Sequence, residues 1–116
     1  MLFIEYPKCT TCQKAKKWLD AHGAVYRDRH IKEEPPTAEE IVRWQKASGL
    51  ALRKFFNTSG LLYKSLCLKD RLPSMSEEEQ IALLSSDGML VKRPILVTDD
   101  AVLVGFREAE WERVMK

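Results

Sequence analysis

Hydrophobic positions repeat with two different periods in the first part of the chain. The apolar residues 2–6 are typical of a buried strand, and the alternation over residues 24–31 indicates a second strand. The segment between them predicts an amphipathic helix over residues 10–22. Its inward face is predicted from residues at helical spacing, namely Cys12, Ala15, Leu19 and His22. Strand, helix and strand within about thirty residues predict a βαβ unit with parallel strands.

Two sequences in the middle of the chain have the capping-box pattern, in which a hydroxyl residue precedes a glutamate by three positions. The two pairs are Thr37 with Glu40 and Ser76 with Glu79. The first predicts a helix from about residue 38 to Ser48, and the second predicts a helix that ends near residues 87–88. Two short helical pieces are expected between them, over residues 50–68. These elements predict a helical insert at about residues 37–88.

The last part of the chain predicts two strands and a helix. Pro94 precedes a β-rich run over residues 95–98, and Asp99-Asp100 suits a hairpin turn into residues 101–106. These two strands should therefore be antiparallel. Residues 108–115 place apolar side chains at helical spacing and predict a final helix.

Composition and charge restrict the class of protein. The chain, 45% hydrophobic and 31% charged, is predicted to form one globular domain over residues 1–116. Its tryptophans fall in predicted helices and are assigned to the core: Trp18, Trp44 and Trp111. No segment approaches the ~20 apolar residues of a membrane span, and the N-terminal apolar run is too short for a signal peptide. Nineteen basic and seventeen acidic residues are interspersed, without the basic excess of a nucleic-acid-binding surface. We therefore expect a cytoplasmic protein with no membrane and no direct nucleic-acid partner.

The strongest chemical signal is a pair of cysteines, Cys9 and Cys12, at the start of the first predicted helix. The helix dipole and the unpaired backbone N–H groups of the first turn favour the thiolate form of Cys9, which is the nucleophilic form. Cys12 lies one helical turn later and is placed to close a disulfide with it. The third cysteine, Cys67, is interpreted as a buried cysteine that acts as a small hydrophobic residue.

A CxxC pair also occurs in zinc sites and in proteins where the cysteines have no chemistry. Zinc would need about two further ligands, and the remaining candidates are Cys67, His22 and His30, without a second CxxC or an HxxxH pair. A redox pair is therefore favoured over a structural pair and over metal. We expect neither a metal nor an organic cofactor.

Four segments make the comparison with known families specific. They are residues 6–12, 54–60, 86–95 and 104–108. With a CxxC before the first helix and a proline before the third strand, the chain resembles the arsenate-reductase-related family of thioredoxin-fold proteins over essentially its full length. That family includes glutaredoxin-linked arsenate reductases and the Spx and MgsR regulators. The resemblance implies an α/β, thioredoxin-like (glutaredoxin-like) fold with a mixed four-stranded sheet, in the order βαβ, helical insert, ββα.

The resemblance also implies roles for particular residues. Cys9 would be the nucleophile and Cys12 the resolving cysteine, and Arg93 would stabilise a thiolate or a bound anion before a cis Pro94. The expected substrate-binding residues are Arg53, Arg107, Thr10, Thr11 and Pro94. Arg107 matches an oxyanion-binding arginine of the family well, and Arg53 matches another less closely. Each arginine is equally compatible with a solvent-facing charge.

The chain departs from the arsenate-reductase pattern at the cysteines. Those enzymes keep a lone catalytic cysteine followed by a glycine, whereas this chain has Thr10 after Cys9 and a second thiol at Cys12. The second cysteine weakens the expectation of arsenate specificity and brings the chain closer to the Spx-like branch.

Three functional hypotheses follow from the resemblance. The favoured one is a thiol-disulfide oxidoreductase that reduces arsenate or a small disulfide and is restored by thioredoxin, glutaredoxin or glutathione. The alternative is an Spx-like or MgsR-like redox-sensing transcription regulator that binds the RNA polymerase alpha subunit. The lack of an extra tail after the final helix favours the enzyme. The third is a family member that retains the fold without activity.

Overall fold

The structure, a computed structural model, describes residues 1–115. Its strands are β1 (Leu2–Glu5), β2 (Arg27–His30), β3 (Ile95–Val97) and β4 (Val102–Val104). They form a mixed four-stranded sheet in the order β2-β1-β3-β4. β1 is parallel to β2, and β3 is antiparallel to both β1 and β4. The predicted βαβ unit and the predicted antiparallel C-terminal pair are therefore confirmed.

The helices follow the predicted order. They are α1 (Thr10–Ala21), α2 (Ala38–Ser48), α3 (Leu61–Ser65), α4 (Leu68–Arg71), α5 (Glu77–Ser86) and α6 (Glu108–Met115). Short 3-10 turns lie at Leu52–Phe55, Leu72–Ser74 and Gly88–Leu90. The α4 helix was not predicted, because a single turn of four residues is too short to show a helical period. None of the helices within residues 1–115 has the length and apolar character that crossing a bilayer requires.

Both predicted capping boxes are present. The Thr37 hydroxyl accepts a hydrogen bond from the Glu40 backbone N–H at 3.1 Å, and the Glu40 carboxylate accepts from the Thr37 N–H at 2.9 Å. Ser76 and Glu79 make the same reciprocal pair at the start of α5. Each box satisfies two backbone donors that a helix start would otherwise leave unpaired, so the helix start is encoded locally.

The central strand β1 is covered on both of its faces. Phe3 and Ile4 point to opposite sides of the sheet, and both are fully buried. Phe3 packs in a cluster built from α1 and α6 that includes Trp18, Leu19 and Trp111. Ile4 packs in a cluster built mainly from the helical insert that includes Ile41, Trp44, Phe55 and Phe56. The predicted burial of all three tryptophans is confirmed.

Two predictions of burial were wrong. Cys67 is exposed, because it occupies the turn between α3 and α4 with a left-handed backbone (φ 54°), and the chain re-enters the core only at Leu68. His22 is exposed at the C-terminal cap of α1, where its ring stacks on Trp18 with the centroids 3.9 Å apart. Its Nδ1 donates to the Trp18 carbonyl at 2.8 Å. Trp18 therefore takes the inward position that the helical spacing assigned to His22.

The backbone joins the helical insert to the segment that leads into β3. The Lys92 N–H donates to the Phe55 carbonyl at 2.7 Å, and the Asn57 N–H donates to the Leu90 carbonyl at 2.8 Å. Gly88 allows the segment before β3 to lie against the backbone that follows β2, because a Cβ at Gly88 would lie 1.8 Å from the Ile31 carbonyl oxygen. These contacts place the residues after Phe56 next to the residues that precede Pro94.

Candidate active site

The two cysteines of the CxxC pair lie at the N-terminus of α1. Cys9 is the N-cap residue with an extended backbone, and its carbonyl accepts from the Gln13 N–H at 3.0 Å. Two hydrogen bonds fix the loop between β1 and α1. The Cys9 N–H donates to the Tyr6 carbonyl at 2.9 Å, and the Gln13 side chain donates to the Pro7 carbonyl at 2.8 Å. Cys9 is half-buried, whereas Cys12 is fully buried. One thiol therefore faces a reagent and the other lies beneath it.

The two thiols have opposite acidities. Partial burial raises the pKa of Cys9, but hydrogen bonds from the Cys12 backbone and thiol and from Arg93 outweigh this effect, so its pKa is lowered. Burial, followed by the hydrogen bond and the charge of Cys9, raises the pKa of Cys12 to about 12, although a hydrogen bond with the Tyr6 backbone opposes this shift. The site therefore favours one thiolate, on Cys9, with Cys12 held as the neutral thiol.

Arg93 supplies the positive charge beside Cys9. The Arg93-Pro94 peptide bond is cis, as the family resemblance implied, and Pro94 is buried. The guanidinium Cζ lies over the Tyr6 ring, 5.1 Å from the ring centroid. Its Nε and Nη1 are buried, and neither has a hydrogen-bond partner within the described residues. Buried donors of this kind cost free energy when they are unpaired. An anion that accepts hydrogen bonds from them would therefore bind with a large gain in free energy.

A cavity of about 350 Å³ opens onto Cys9. Its lining residues come from the cysteine loop, the loop before α3, the segment before β3 and the segment after β4: Cys9, Thr11, Asn57, Ser59, Gly60, Lys92, Arg93, Val104, Gly105, Phe106 and Arg107. Three of these residues are cations, so the cavity combines a reactive thiol with positive charge. An anion or a polarised sulfur-containing substrate suits such a cavity.

The residues predicted for the site fall into two groups. Cys9, Thr11, Arg93 and Arg107 line the Cys9 cavity. Thr10, Cys12, Pro94 and Arg53 do not. Thr10 is exposed as the first residue of α1, and Cys12 and Pro94 are buried. Arg53 lines a neighbouring cavity of about 340 Å³, which shares Lys92, Val104 and Arg107 with the first.

Several lining residues were not assigned to a site from the sequence. Asn57, Ser59 and Gly60 are brought in by the backbone pairing of residues 55–57 with residues 90–92. The signal for them was present, because these residues fall in the segments that carry the family resemblance. Their position near Cys9, however, depends on backbone pairing between segments that are more than thirty residues apart. Local sequence patterns do not predict such pairing.

Gly105 joins the segment after β4 to the cis proline. Its N–H donates to the Pro94 carbonyl at 2.8 Å, and its carbonyl accepts from the buried Trp111 indole at 3.1 Å. Gly105 has a positive φ of 79°, a conformation that an L-residue adopts only at a cost. This turn directs Phe106 and Arg107 toward the Cys9 cavity.

Within residues 1–115, no group of three or more His, Cys, Asp or Glu side chains is arranged to hold a metal ion. The histidines considered as partners of the cysteines are placed elsewhere. His22 stacks on Trp18, and His30 Nδ1 accepts a hydrogen bond from the Lys32 backbone N–H at 3.2 Å.

Comparison with known protein families identifies relatives over almost the whole chain. Residues 4–114 match the model of the ArsC family. The chain is 53% identical over 112 residues to "Uncharacterized protein YusI" of Bacillus subtilis (strain 168), covering 97% of this chain and 95% of that protein. It is 31% identical to "Regulatory protein MgsR" of the same strain, covering 100% of this chain and 90% of that protein. It is 28% identical to "Global transcriptional regulator Spx" of Streptococcus mutans, covering 94% of this chain and 77% of that protein.

Solved structures show the same relationship. An ArsC family related protein from Bacteroides fragilis superimposes with a TM-score of 0.96 and 56% identity, covering 99% of this chain and 96% of that one. A structure described as a possible arsenate reductase from Streptococcus mutans superimposes with a TM-score of 0.87 and 46% identity, covering 96% of each chain. These similarities extend over almost the whole of each chain.

Proposed function

The chain belongs to the ArsC family, and on that premise we propose that it is a thiol-disulfide oxidoreductase with Cys9 as the nucleophile and Cys12 as the resolving cysteine. One observation carries the proposal: Cys9 is a half-buried N-cap residue that shares a cavity with Arg93, whereas Cys12 one turn later is fully buried. The lowered pKa of Cys9 and the raised pKa of Cys12 agree with this arrangement. A nucleophile must be a thiolate in contact with its substrate, whereas a resolving thiol acts only after the first step.

The proposed reaction proceeds in two exchange steps. The Cys9 thiolate attacks one sulfur of a substrate disulfide, a mixed disulfide forms on Cys9, and the other half leaves as a thiolate. Cys12 then loses its proton and attacks Cys9 Sγ, which forms the Cys9-Cys12 disulfide and releases the second half. The protein has given up two electrons and the substrate has become two thiols. An external thiol reductant, such as thioredoxin, glutaredoxin or glutathione, returns the protein to the dithiol.

Arg93 has two roles in this proposal. Its charge and hydrogen bond favour the Cys9 thiolate before the attack, and its buried Nε and Nη1 can donate to a negatively charged substrate group or leaving thiolate. Arg107, which lines the same cavity, adds charge that an arsenate oxyanion would also use. Thr11 is proposed as a further contact at the cavity wall. Arsenate is therefore the second substrate to test, after a small disulfide.

The decisive experiment is a single turnover of the reduced protein with bis(2-hydroxyethyl) disulfide. We expect the wild-type protein to release both substrate halves as thiols and to end as the intramolecular disulfide. Cys9→Ser should release none. Cys12→Ser should release one half and retain the other as a mixed disulfide, visible by mass spectrometry. All variants are made in the Cys67→Ser background, because Cys67 is exposed and its thiol would itself exchange with the disulfide. Cys67→Ser alone is the matched control, since Cys67 lines neither of the two basic cavities, and it should release both substrate halves.

Unchanged thiol release by Cys9→Ser would contradict the proposal. The same variants mixed with arsenate, with arsenite measured as the product, decide whether the oxyanion is also reduced. In that reaction the Cys9 thiolate would attack arsenic and one arsenate oxygen would leave as water. Cys12 would then attack Cys9 Sγ, which closes the Cys9-Cys12 disulfide and releases the arsenic with the electron pair of the As–S bond as arsenite, so both cysteines are required and two electrons are transferred as before.

A redox-sensing regulator is the second candidate function, and the similarity to MgsR and Spx favours it. In this proposal the same cysteine pair closes under oxidation and alters binding to the RNA polymerase alpha subunit. A pull-down with the alpha subunit, under reducing and oxidising conditions and with Cys12→Ser as the redox-inert variant, tests it. Absence of binding under both conditions would reject the regulator.

A further inference from the structure

A second basic cavity lies beside the Cys9 cavity. It has a volume of about 340 Å³ and is lined by Leu50, Arg53, Lys54, Phe56, Thr58, Lys92, Val104, Arg107 and Glu110. We call its four cations, Arg53, Lys54, Lys92 and Arg107, the basic extension. The two cavities meet at Lys92, Val104 and Arg107, which line both of them. A molecule held at Cys9 can therefore reach the basic extension without crossing other elements.

The cavity of the basic extension carries an excess of positive charge. Glu110 is the acidic residue among its lining side chains, against four basic ones. Among residues 1–115 the salt bridges are Lys16 with Asp28 and Arg29 with Glu40, so none of the four cations is used in one. Clustered like charges repel each other, and a bound anion would relieve that repulsion.

The basic extension is positioned by buried neighbours and by backbone hydrogen bonds. The Leu52–Phe55 turn buries its first and last side chains, so Arg53 and Lys54 between them face outward. The Phe55 carbonyl accepts the Lys92 N–H at 2.7 Å. On the opposite wall the Lys92 stem passes Gly105 so closely that a Cβ there would lie 3.0 Å from Lys92 Cε. The backbone positions of these cations are thus tied to the same pairing that builds the Cys9 cavity.

The position of Arg53 is informative about substrate size. Arg53 lines the second cavity and not the one that contains Cys9, whereas Lys92 and Arg107 line both. An anionic group held by Arg53 must therefore belong to a distant part of a substrate whose sulfur is at Cys9. Val104, which is partly exposed and lines both cavities, offers apolar contact along the path between them.

We infer that the basic extension binds a carboxylate, several bonds from the sulfur, on an anionic low-molecular-weight disulfide. This inference rests on the proposed function and adds the substrate class to it. The neutral part of the substrate lies against Val104, and the carboxylate is held by Arg53 and Lys54. The chemistry at sulfur is the two-step exchange described above, with the same external thiol as reductant.

The turnover test compares acids with their esters at equal chain length. The probes are dithiodipropionate, dithiodibutyrate and dithiodihexanoate, each beside its dimethyl ester, and the measured quantity is the ratio of kcat/KM for the acid to that for the ester. We expect the ratio to exceed one, to be larger for the longer chains than for dithiodipropionate, and to fall as salt is added.

The double variant R53A/K54A should lower the ratio about tenfold. The control R43A/K46A removes the same charge from exposed positions on α2 and should preserve the ratio.

A binding test separates the subsite from the reaction. The Cys9→Ser variant is titrated with 6-(methylthio)hexanoate, a thioether that cannot be reduced, and with its methyl ester, while the amide shifts of Lys54, Thr58 and Lys92 are followed by NMR. Acid-specific shifts that R53A/K54A abolishes would support the inference. Equal shifts with acid and ester, or acid-specific shifts that survive in R53A/K54A, would overturn it. If the acid-specific shifts are observed but the wild-type protein reduces none of the disulfides, the proposed oxidoreductase is rejected and the anion subsite is still supported.

Discussion

Arg93 lies across the ring of Tyr6, with its Cζ 5.1 Å from the ring centroid, while its buried Nε and Nη1 have no hydrogen-bond partner within residues 1–115. The aromatic face stabilises the cation without using its N–H donors. Because Tyr6 also accepts the Cys9 N–H through its carbonyl, one residue orients both the nucleophile and the charge beside it. This relationship keeps a positive charge beside Cys9 while two of its buried donors face no acceptor within the described residues.

Removal of the Arg93 charge should make Cys9 less acidic. In Arg93→Ala we expect the pKa of Cys9 to rise, because a hydrogen bond and a favourable charge interaction are both lost. Alkylation of Cys9 by iodoacetamide at neutral pH should slow several-fold, and the midpoint of its pH profile should move to higher pH. The measurement uses the C12S/C67S background, so that Cys9 is the sole thiol. An unchanged profile would show that Arg93 does not tune the thiolate.

The two cysteines should differ in reactivity in the reduced protein. In the C67S background, iodoacetamide at neutral pH should modify Cys9 and spare Cys12, whose thiol is fully buried and has a pKa raised to about 12. Peptide mapping by mass spectrometry identifies the modified residue. Preferential modification of Cys12 would reverse the assignment of nucleophile and resolving cysteine.

The Arg29-Glu40 ion pair should contribute stability that is lost in acid. Arg29 donates two hydrogen bonds to the Glu40 carboxylate, at 2.7 and 2.9 Å, and these hold the pKa of Glu40 below its usual value. A lowered pKa means that the contribution is present at neutral pH and disappears as the pH falls through the pKa of the folded state. We expect Glu40→Gln to lower the free energy of unfolding by about 2 kcal/mol at pH 7.

Urea unfolding at pH 7 and at lower pH measures this effect. The glutamine can still accept the Thr37 N–H, so the variant tests the ion pair rather than the capping box. Thr37→Ala, which removes the cap and leaves the pair, should cost about 1 kcal/mol with little dependence on pH. A Glu40→Gln deficit that persists undiminished in acid would mean that the carboxylate charge is not its cause.

Gly88 should tolerate no side chain. A Cβ at this position would lie 1.8 Å from the Ile31 carbonyl oxygen, so in Gly88→Ala the backbone must separate, at a cost of about 3 kcal/mol. Gly23→Ala is the control, since nothing lies within 4 Å of a Cβ there and the positive φ of 66° alone costs about 1 kcal/mol. Thermal or urea unfolding compares the two variants. Equal losses of stability would mean that the chain relaxes at Gly88 without cost.

Local sequence patterns predicted the elements of this fold well. The capping box at Thr37 and the left-handed Gly49 bound α2 at the residues that were predicted, because the partners of a helix terminus lie within one turn of it. The strand β2 is shorter than residues 24–31, because its pairing partner β1 has only four residues. Burial at turns was less predictable: the exposure of Cys67 follows from a left-handed backbone that its neighbours in sequence do not announce.

The sequence by itself determined the placement of the cysteine pair, because the spacing of Cys9 and Cys12 at a strand-to-helix junction already puts one thiol at the N-terminus of α1 and the other one turn later. The tertiary structure decided which cations reach that pair. Arg93 and Arg107 line the Cys9 cavity, whereas Arg53 lies in the adjoining one. The physical reason is that these residues meet through backbone pairing between residues 55–57 and 90–92 and through the Gly105 turn, and such contacts across long loops depend on how the whole chain packs.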